Sequence, residues 1–136
     1  MTLALLDGLS SIADDYDAIL CDVWGVVHNG AEAHPDALDA LQRFRAQDKP
    51  VVLLTNAPRP HGPIIKQLDQ LGASSAAYDA VVSSGDAVRA HLIEEGYSRV
   101  YHLGPDRDLG LYEGTQIERV RPEKAEAIVV TDLRSD

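Results

Sequence analysis

The chain has 136 residues, of which 45% are hydrophobic and 25% are charged, a composition typical of a soluble globular domain and unlike that of disordered or fibrous chains. Its formal net charge of −10 repels nucleic-acid phosphates and anionic lipid surfaces, so we expect no nucleic acid and no membrane among its partners. The single cysteine, Cys21, excludes an intrachain disulfide and a paired-cysteine metal site. With no recognisable signal peptide, the predicted location is cytoplasmic.

Short apolar runs alternate with longer amphipathic ones along the first two-thirds of the chain. Apolar residues recur at every third position over residues 2–13, which predicts a short helix. Three buried strands, each followed by an amphipathic helix, are then predicted. In chain order these segments are Asp17–Val23, 35–47, Pro50–Thr55, 60–72, Tyr78–Ser83 and 85–95. Pro35 suits the first turn of a helix, and Gly72 and Gly96 suit helix ends.

The predicted elements become shorter after Gly96. Residues Arg99–Leu103 and Ala127–Thr131 have the apolar character of strands. Two short apolar segments, Leu109–Tyr112 and Gln116–Val120, lie between them. This last third is therefore predicted to continue the pattern of strands with shorter connections.

Alternation of strands and helices predicts an α/β fold with a parallel sheet. In such sheets ligands bind beyond the carboxyl ends of the strands. Two loops fit that position, Asp22–Gly30 after the first strand and Thr55–Pro60 after the second. We therefore look for functional residues in these two loops.

Asp22 follows an apolar strand and precedes Val23, Trp24 and Gly25. A carboxylate at a strand end, close to a glycine that lets the backbone approach a ligand, suits a nucleophile or a metal ligand. The alternative is an aspartate that caps the following turn by binding its own backbone. Cys21 is expected to point to the opposite face of the strand, as a buried thiol.

Thr55 and Asn56 hold the equivalent place after the second strand. A hydroxyl group and adjacent backbone N–H groups can bind a phosphate oxygen. The alternative is that one of them caps the N-terminus of the next helix. The placement alone leaves both interpretations open.

Together, the two loops resemble those of a known family. Residues 19–30, ILCDVWGVVHNG, resemble the first motif of the haloacid dehalogenase-like (HAD) hydrolases, and residues 51–59, VVLLTNAPR, resemble the second. The helix at 35–47 and residues 82–87, VSSGDA, are similar to those of subfamily IIA. That subfamily includes sugar-phosphate, phosphoglycolate, pyridoxal phosphate and p-nitrophenyl phosphatases.

The resemblance implies a Rossmann-like parallel sheet flanked by helices, followed by an α/β cap. Residues 1–84 would form the N-terminal half of the HAD core domain. Residues 85–136 would begin a C2-type α/β cap domain that is incomplete in this chain. The later lysine and acidic motif of the family have no counterpart here, so the chain is interpreted as the N-terminal part of a longer enzyme.

The resemblance also implies a mechanism. Asp22 would be the catalytic nucleophile, forming an aspartyl-phosphate from a small phosphorylated metabolite. Trp24, Gly25, Thr55 and Asn56 would bind the phosphate. Mg²⁺ would be held by Asp22 and the backbone carbonyl of Trp24, in a site that this chain leaves incomplete. A cation and oriented N–H dipoles are needed because two anions must approach each other.

One position departs from the family pattern. Trp24 stands where the family usually has a second aspartate that acts as general acid and base, and an indole cannot relay a proton. Trp24 is interpreted either as an apolar lid over the site or as a core residue. His28 is a candidate substitute for the missing acid, although an ordinary exposed loop histidine is the favoured interpretation.

Two other functions stay open. In the first, the chain binds a phosphoester without turning it over, because Trp24 replaces the acid. In the second, it is a half-fold that forms a homo-oligomer through the open edge of the Asp22 strand. The remaining histidines, His34, His61, His91 and His102, show no metal-ligand spacing. The phosphatase-like hydrolase ranks first.

Overall fold

The computed structural model describes residues 5–133. The described residues up to Thr55, together with Ile65–Val82, form one compact unit, and Asn56–Ile64 with the residues from Ser83 onward form a second. The helices are α1 (Pro35–Arg45), α2 (His61–Gln70) and α3 (Ser84–Glu94), and the strands are β1 (Ile19–Asp22), β2 (Val51–Thr55), β3 (Ala80–Ser83), β4 (Arg99–Leu103), β5 (Glu118–Arg119) and β6 (Ala127–Val130). The predicted α/β fold is confirmed. Within residues 5–133, no helix has both the length and the apolar character needed to cross a bilayer.

The first sheet has the strand order β1-β2-β3. Strands β1 and β2 run parallel, with Ile19 opposite Val51 and Asp22 opposite Leu54. Helix α1 begins with a proline, whose missing N–H costs nothing in the first turn, and buries one face against this region. The buried residues of that face are Leu38, Leu41 and Phe44. In the described part of the chain β1 is a terminal strand of the sheet.

The predicted helix over residues 2–13 is wrong for the part that the structure describes, and residues 1–4 lie outside it. Two short 3₁₀ turns, Leu9–Ser11 and Ala13–Asp15, replace it. Gly8 has extended backbone angles, φ 164° and ψ 171°, which end any helix there. A spacing of three also matches the three residues per turn of a 3₁₀ helix better than an α-helix.

The second sheet has the strand order β5-β4-β6, and β4 is parallel to both neighbours. Its buried face contributes Val100 and Val129 to a hydrophobic core that also contains Leu92, Leu111 and Tyr112. The predicted segment Leu109–Tyr112 lies in a 3₁₀ turn over Asp106–Tyr112. Both strands predicted for this region, at 99–103 and 127–131, are present.

Each sheet also has large apolar side chains that are exposed. In the first sheet these are Leu20, Leu54 and Val82, and in the second they are Leu103, Ile128 and Val130. Leu20 is 69% exposed and Ile128 is 66% exposed, although strands in α/β proteins normally have both faces covered. Each sheet is therefore covered on one face by the residues that the structure describes.

Candidate active site

Asp22 lies at the carboxyl end of β1 with its side chain on the exposed face of the strand. Burial alternates from residue 21 to residue 24. Cys21 and Val23 are buried, whereas Asp22 and Trp24 are exposed. Alternate residues of an extended chain point to opposite sides, so the side chains of Asp22 and Trp24 project to the same side. The buried thiol predicted for Cys21 is confirmed, and burial raises its pKa, with Asp22 raising it further.

The Asp22 carboxylate combines the two interpretations that the sequence left open. Its Oδ1 accepts a hydrogen bond of 2.8 Å from the backbone N–H of Val23, so the side chain does bind its own turn. The residue as a whole is exposed, so a ligand can reach the second oxygen, Oδ2. One oxygen therefore orients the group and the other is available to a ligand.

Thr55 lies one residue beyond Leu54, the partner of Asp22 in the parallel register. Parallel strands end at the same edge of a sheet, so Thr55 follows at the edge where Asp22 stands. Helix α2 begins only at His61, so neither Thr55 nor Asn56 caps it, and the capping alternative is wrong. Thr55 is half-buried, and Asn56 is exposed at the beginning of the second unit.

The loop after β1 is a tight backbone turn built around the carbonyl of Val23. That carbonyl accepts from the N–H groups of Val27 at 2.8 Å and His28 at 3.3 Å. The N–H of Gly25 donates in turn to the carbonyl of His28 at 2.7 Å. Gly25 has φ +81°, a left-handed conformation in which glycine is favoured. None of these bonds uses the carbonyl of Trp24.

His28 is a structural residue of this loop, and the expectation that it is an exposed loop histidine is wrong. Its side chain is buried, with 5% of the residue exposed, and its Nδ1 accepts a hydrogen bond of 3.0 Å from the N–H of Gly30. Burial lowers the pKa of His28, and the charge of His34 lowers it further. The ring is therefore neutral at pH 7 and holds its proton on Nε2.

Trp24 is 66% exposed, so the core-packing interpretation is wrong. A Cβ placed on Gly30 would lie 3.6 Å from the indole Nε1 of Trp24, which places the ring edge over the far side of the loop. The side chain thus stands in solvent, on the same side of the chain as Asp22. The predicted roles of Trp24 and Gly25 in phosphate binding stay predictions.

Two oxygen atoms of this loop suit a hard divalent cation. They are Oδ2 of Asp22 and the backbone carbonyl oxygen of Trp24, and oxygen ligands are those that Mg²⁺ prefers. Residues 5–133 contain no cluster of three His, Cys, Asp or Glu side chains that could hold a metal. The loop therefore offers part of a coordination shell, and the rest would come from water, substrate or further protein groups.

A cluster at the start of α3 fixes the loop after β2, and in the sequence this segment stood out only through the family resemblance. The hydroxyl of Ser83 donates to the carbonyl of Arg59 at 2.6 Å, and the N–H of Gly85 donates to the carbonyl of Ala57 at 3.2 Å. A Cβ on Gly85 would overlap the backbone of Arg59. Ser83 and Asp86 also form a capping box, and a serine three residues before an acid was the available signal.

Asp86 extends this cluster to the first residue of α2. Its Oδ1 accepts from the backbone N–H of His61 at 3.2 Å and lies 3.0 Å from Nδ1 of the same residue. Burial acts to raise the pKa of Asp86, but the hydrogen bonds from His61 and Ser83 outweigh it and lower the pKa. The carboxylate is therefore ionised at pH 7 and holds the loop in place.

A second polar cluster lies at the carboxyl ends of β4 and β6, and the sequence analysis did not predict it. His102 Nδ1 lies 2.9 Å from the hydroxyl of Tyr112. Three other atoms are buried without a hydrogen-bond partner in the described structure: His102 Nε2, Asp108 Oδ2 and Thr131 Oγ1. Burial lowers the pKa of His102 although the charge of Asp108 acts to raise it, and burial raises the pKa of Tyr112 to about 12.

Comparison with known protein families gives one clear match. The sequence profile of a family described as haloacid dehalogenase-like hydrolases matches residues 19–118. Among curated protein sequences, none matches the chain significantly.

Solved structures give matches over most of the chain. A haloacid dehalogenase-like hydrolase from Brucella suis is 46% identical, with a TM-score of 0.87 over 98% of this chain and 51% of its own. A glycerol phosphate phosphatase from Mycobacterium tuberculosis, solved with magnesium, is 25% identical, with a TM-score of 0.66 over 88% of this chain and 37% of its own. A 4-nitrophenylphosphatase from Thermotoga maritima, 21% identical, shares the fold with a TM-score of 0.71 over 88% of this chain and 46% of its own. The chain thus spans about half the length of the Brucella protein and less than half the length of the other two.

Proposed function

The chain belongs to the haloacid dehalogenase-like hydrolases, and from that premise we propose that it is the nucleophile-bearing part of a Mg²⁺-dependent phosphatase. Its substrate is a small phosphorylated metabolite. The observation that carries the proposal is the placement of Asp22. Its carboxylate stands exposed at the carboxyl end of a parallel strand, with one oxygen oriented by Val23 and the other available.

In the first chemical step Asp22 Oδ2 forms a bond to phosphorus, and the bond between phosphorus and the ester oxygen breaks. The leaving oxygen departs with the bonding electron pair and takes up a proton. In the second step water attacks the aspartyl-phosphate, releasing inorganic phosphate and the free Asp22 carboxylate. The hydroxyl of Thr55 and the backbone N–H of Asn56 bind phosphate oxygens and stabilise the charge that develops.

Mg²⁺, when bound, supplies the positive charge that lets the phosphate dianion approach a carboxylate. Asp22 and the carbonyl of Trp24 would hold it. The Brucella and Mycobacterium relatives support this assignment, because one is a hydrolase and the other was solved with magnesium. The remaining ligands lie outside this chain in our proposal.

Within residues 5–133, neither of the two candidates close to Asp22 in the sequence is an efficient general acid. Trp24 has only an indole N–H, and the buried ring of His28 already uses Nδ1 to accept from Gly30. We therefore assign neither residue the acid and base role.

We further propose that residues 1–84 are half of the HAD core and that residues 85–136 begin its cap. The exposed apolar residues of both sheets support this division, because a complete α/β fold covers both faces of its sheets. A second half, as long as the one that the Brucella relative has beyond the matched region, would cover them.

Phosphate release by a form of the chain extended through that second half tests the function. We expect Asp22→Asn to lower kcat by at least about a thousandfold, because a nucleophile cannot be replaced by a neighbour. Asp17→Asn, an exposed aspartate just before β1, is the matched control and should keep full activity. The 136 residues alone should release little phosphate, since part of the metal site is absent from them.

Unchanged phosphate release by the Asp22→Asn variant would contradict the proposal. Saturable binding of phosphoesters by the extended form, with no release, would instead favour a non-catalytic binding protein. Restoring an acid with Trp24→Asp would then be expected to create activity.

A further inference from the structure

Resting on the proposed function, we infer that the start of α3 positions the backbone that binds phosphate after β2. That backbone is the loop at residues 56–60, called loop 56–60 below, which carries the N–H of Asn56. Ser83, Gly85 and Asp86 are its positioning residues, because they act through the loop and not by touching the substrate. Loop 56–60 and α3 belong to the same compact unit.

Two backbone carbonyls of loop 56–60 are bound from α3 and from the residue before it. The hydroxyl of Ser83 donates to the carbonyl of Arg59 at 2.6 Å, and the N–H of Gly85 donates to the carbonyl of Ala57 at 3.2 Å. These bonds lie on either side of Pro58, whose ring fixes its own φ and restricts the residue before it. The backbone from residue 57 to residue 59 therefore has little freedom to move, which also limits the backbone of Asn56.

Gly85 is the residue at which α3 comes closest to the loop. A Cβ at this position would overlap backbone atoms of Arg59. Gly85 is buried, and it is not among the glycines with a positive φ, so the close contact and not the backbone conformation requires a glycine here. The position of the Arg59 backbone therefore depends on the absence of a single methyl group.

Asp86 connects the end of the loop to the same cluster. Its Oδ1 accepts a hydrogen bond of 3.2 Å from the backbone N–H of His61, the first residue of α2. Its Oδ2 lies 2.8 Å from the hydroxyl of Ser83, which is the group that binds Arg59. One carboxylate thus joins the residue that follows the loop to the serine that holds it.

Helix α3 is a firm support for these contacts. Leu92 is buried in the hydrophobic core of the second sheet, and the guanidinium of Arg89 donates to the carbonyl of Leu111 at 3.1 Å. A loop held on a packed helix is preorganised, so it loses little conformational freedom when it binds phosphate. If the loop is displaced, the phosphate is misplaced relative to its nucleophile, and a misplacement of about 1 Å can lower the rate about a hundredfold.

Two matched pairs of variants test the inference, in the form of the chain extended through the second half. Gly85→Ala adds a methyl group that displaces loop 56–60. Gly110→Ala adds the same group in the same unit, where a Cβ meets no atom of the described structure within 4 Å outside its own turn. Ser83→Ala removes a capping hydroxyl that also binds the loop. Ser74→Ala removes a capping hydroxyl of a 3₁₀ turn in the first unit.

The measurements separate positioning from stability. The dissociation constant of inorganic phosphate, with Mg²⁺ present, is measured by calorimetry, and KM and kcat are measured with p-nitrophenyl phosphate. The calorimetric stoichiometry counts the folded molecules. A purely structural role lowers the stoichiometry and the apparent kcat together and leaves KM and the dissociation constant unchanged. A positioning role raises these two constants in the molecules that are folded.

We expect Gly85→Ala to raise KM and the dissociation constant of phosphate about tenfold, and to lower kcat, at an unchanged stoichiometry. Ser83→Ala should raise the two constants about three- to tenfold, the equivalent of one hydrogen bond. Gly110→Ala and Ser74→Ala should leave both constants as they are in the parent.

The outcomes distinguish this inference from the function on which it rests. Parental constants in both Gly85→Ala and Ser83→Ala would overturn the positioning role, while phosphate release that depends on Asp22 would keep the phosphatase proposal. An increase in Gly110→Ala as large as that in Gly85→Ala would also overturn it. If Gly85→Ala does not fold, Ser83→Ala decides the question. A parent that neither binds nor releases phosphate would overturn the proposed function, and the inference with it.

Discussion

The carboxyl ends of the two sheets place polar side chains in opposite environments. At the end of β1, Asp22 and Trp24 are exposed to solvent. At the ends of β4 and β6, Asp108 is 1% exposed, and polar atoms of His102 and Thr131 are buried without partners. The same position in a parallel sheet can therefore present groups to a ligand or enclose them in the core, and only exposure distinguishes the two.

The backbone explains how each end is held. The loop after β1 satisfies its own N–H and carbonyl groups through the turn around Val23, so its side chains are left available. At the end of β4 the chain segments instead pack closely against each other, since a Cβ on Gly104 would overlap Thr131 Oγ1 and lie 3.1 Å from His102 Nε2. In our proposal the first end carries the function, and we expect stability to depend more on the second.

The largest expected effect comes from adding one methyl group at each end. Gly104→Ala should lower the free energy of unfolding by about 3 kcal/mol, because the new Cβ overlaps Thr131. Gly25→Ala meets no atom within 4 Å, so only its positive φ opposes the change and the cost should be about 1 kcal/mol. Urea denaturation of both variants measures the difference. Equal losses would mean that the two loops are packed alike. Gly104→Ala combined with Thr131→Ala should recover only the part of the loss that comes from the overlap with Thr131, because the positive φ of Gly104 and its close approach to the Asp132 N–H remain.

An intermediate effect is expected from the same substitution at two aspartates. Asp108→Asn should raise the free energy of unfolding by about 1 kcal/mol at pH 7, since it removes a buried charge that lacks a hydrogen bond at Oδ2. Asp22→Asn should change it by less than about 0.5 kcal/mol, because that carboxylate is exposed. If Asp108→Asn proved destabilising, the carboxylate would be stabilised by its charge interaction with His102, and the second end would be more than an enclosed polar cluster.

The smallest effect should appear in the pH dependence of stability. Burial lowers the pKa of both His28 and His102, so below about pH 6.5 the unfolded chain binds protons that the folded chain does not. The free energy of unfolding should therefore fall as the pH is lowered through that value. Above that pH the stabilising contribution of the neutral rings is complete. His28→Gln and His102→Gln should each flatten this slope when denaturation is repeated between pH 5.5 and 7.5. A slope that neither variant alters would show that these rings are not buried in solution.

Local sequence patterns were sufficient for most of the fold. The strands at β1 and β2 and the helix α1 follow from runs of apolar residues and from Pro35, which act within a few residues of the chain. The expectation that Asp22 and Thr55 stand at the same edge also follows, because parallel strands end together. The helix predicted over residues 2–13 was wrong because periodicity alone did not weigh the extended Gly8.

The sequence alone determined the fold class, the order of the elements and the residues that stand at the strand ends, since periodicity and chain order are local properties. Only the tertiary structure decided which of those residues reach solvent. It buried His28 while leaving Trp24 exposed within the same loop, and it joined Ser83 to Arg59 across 24 residues. Burial depends on which distant segments pack together, and no window of neighbouring residues contains that information.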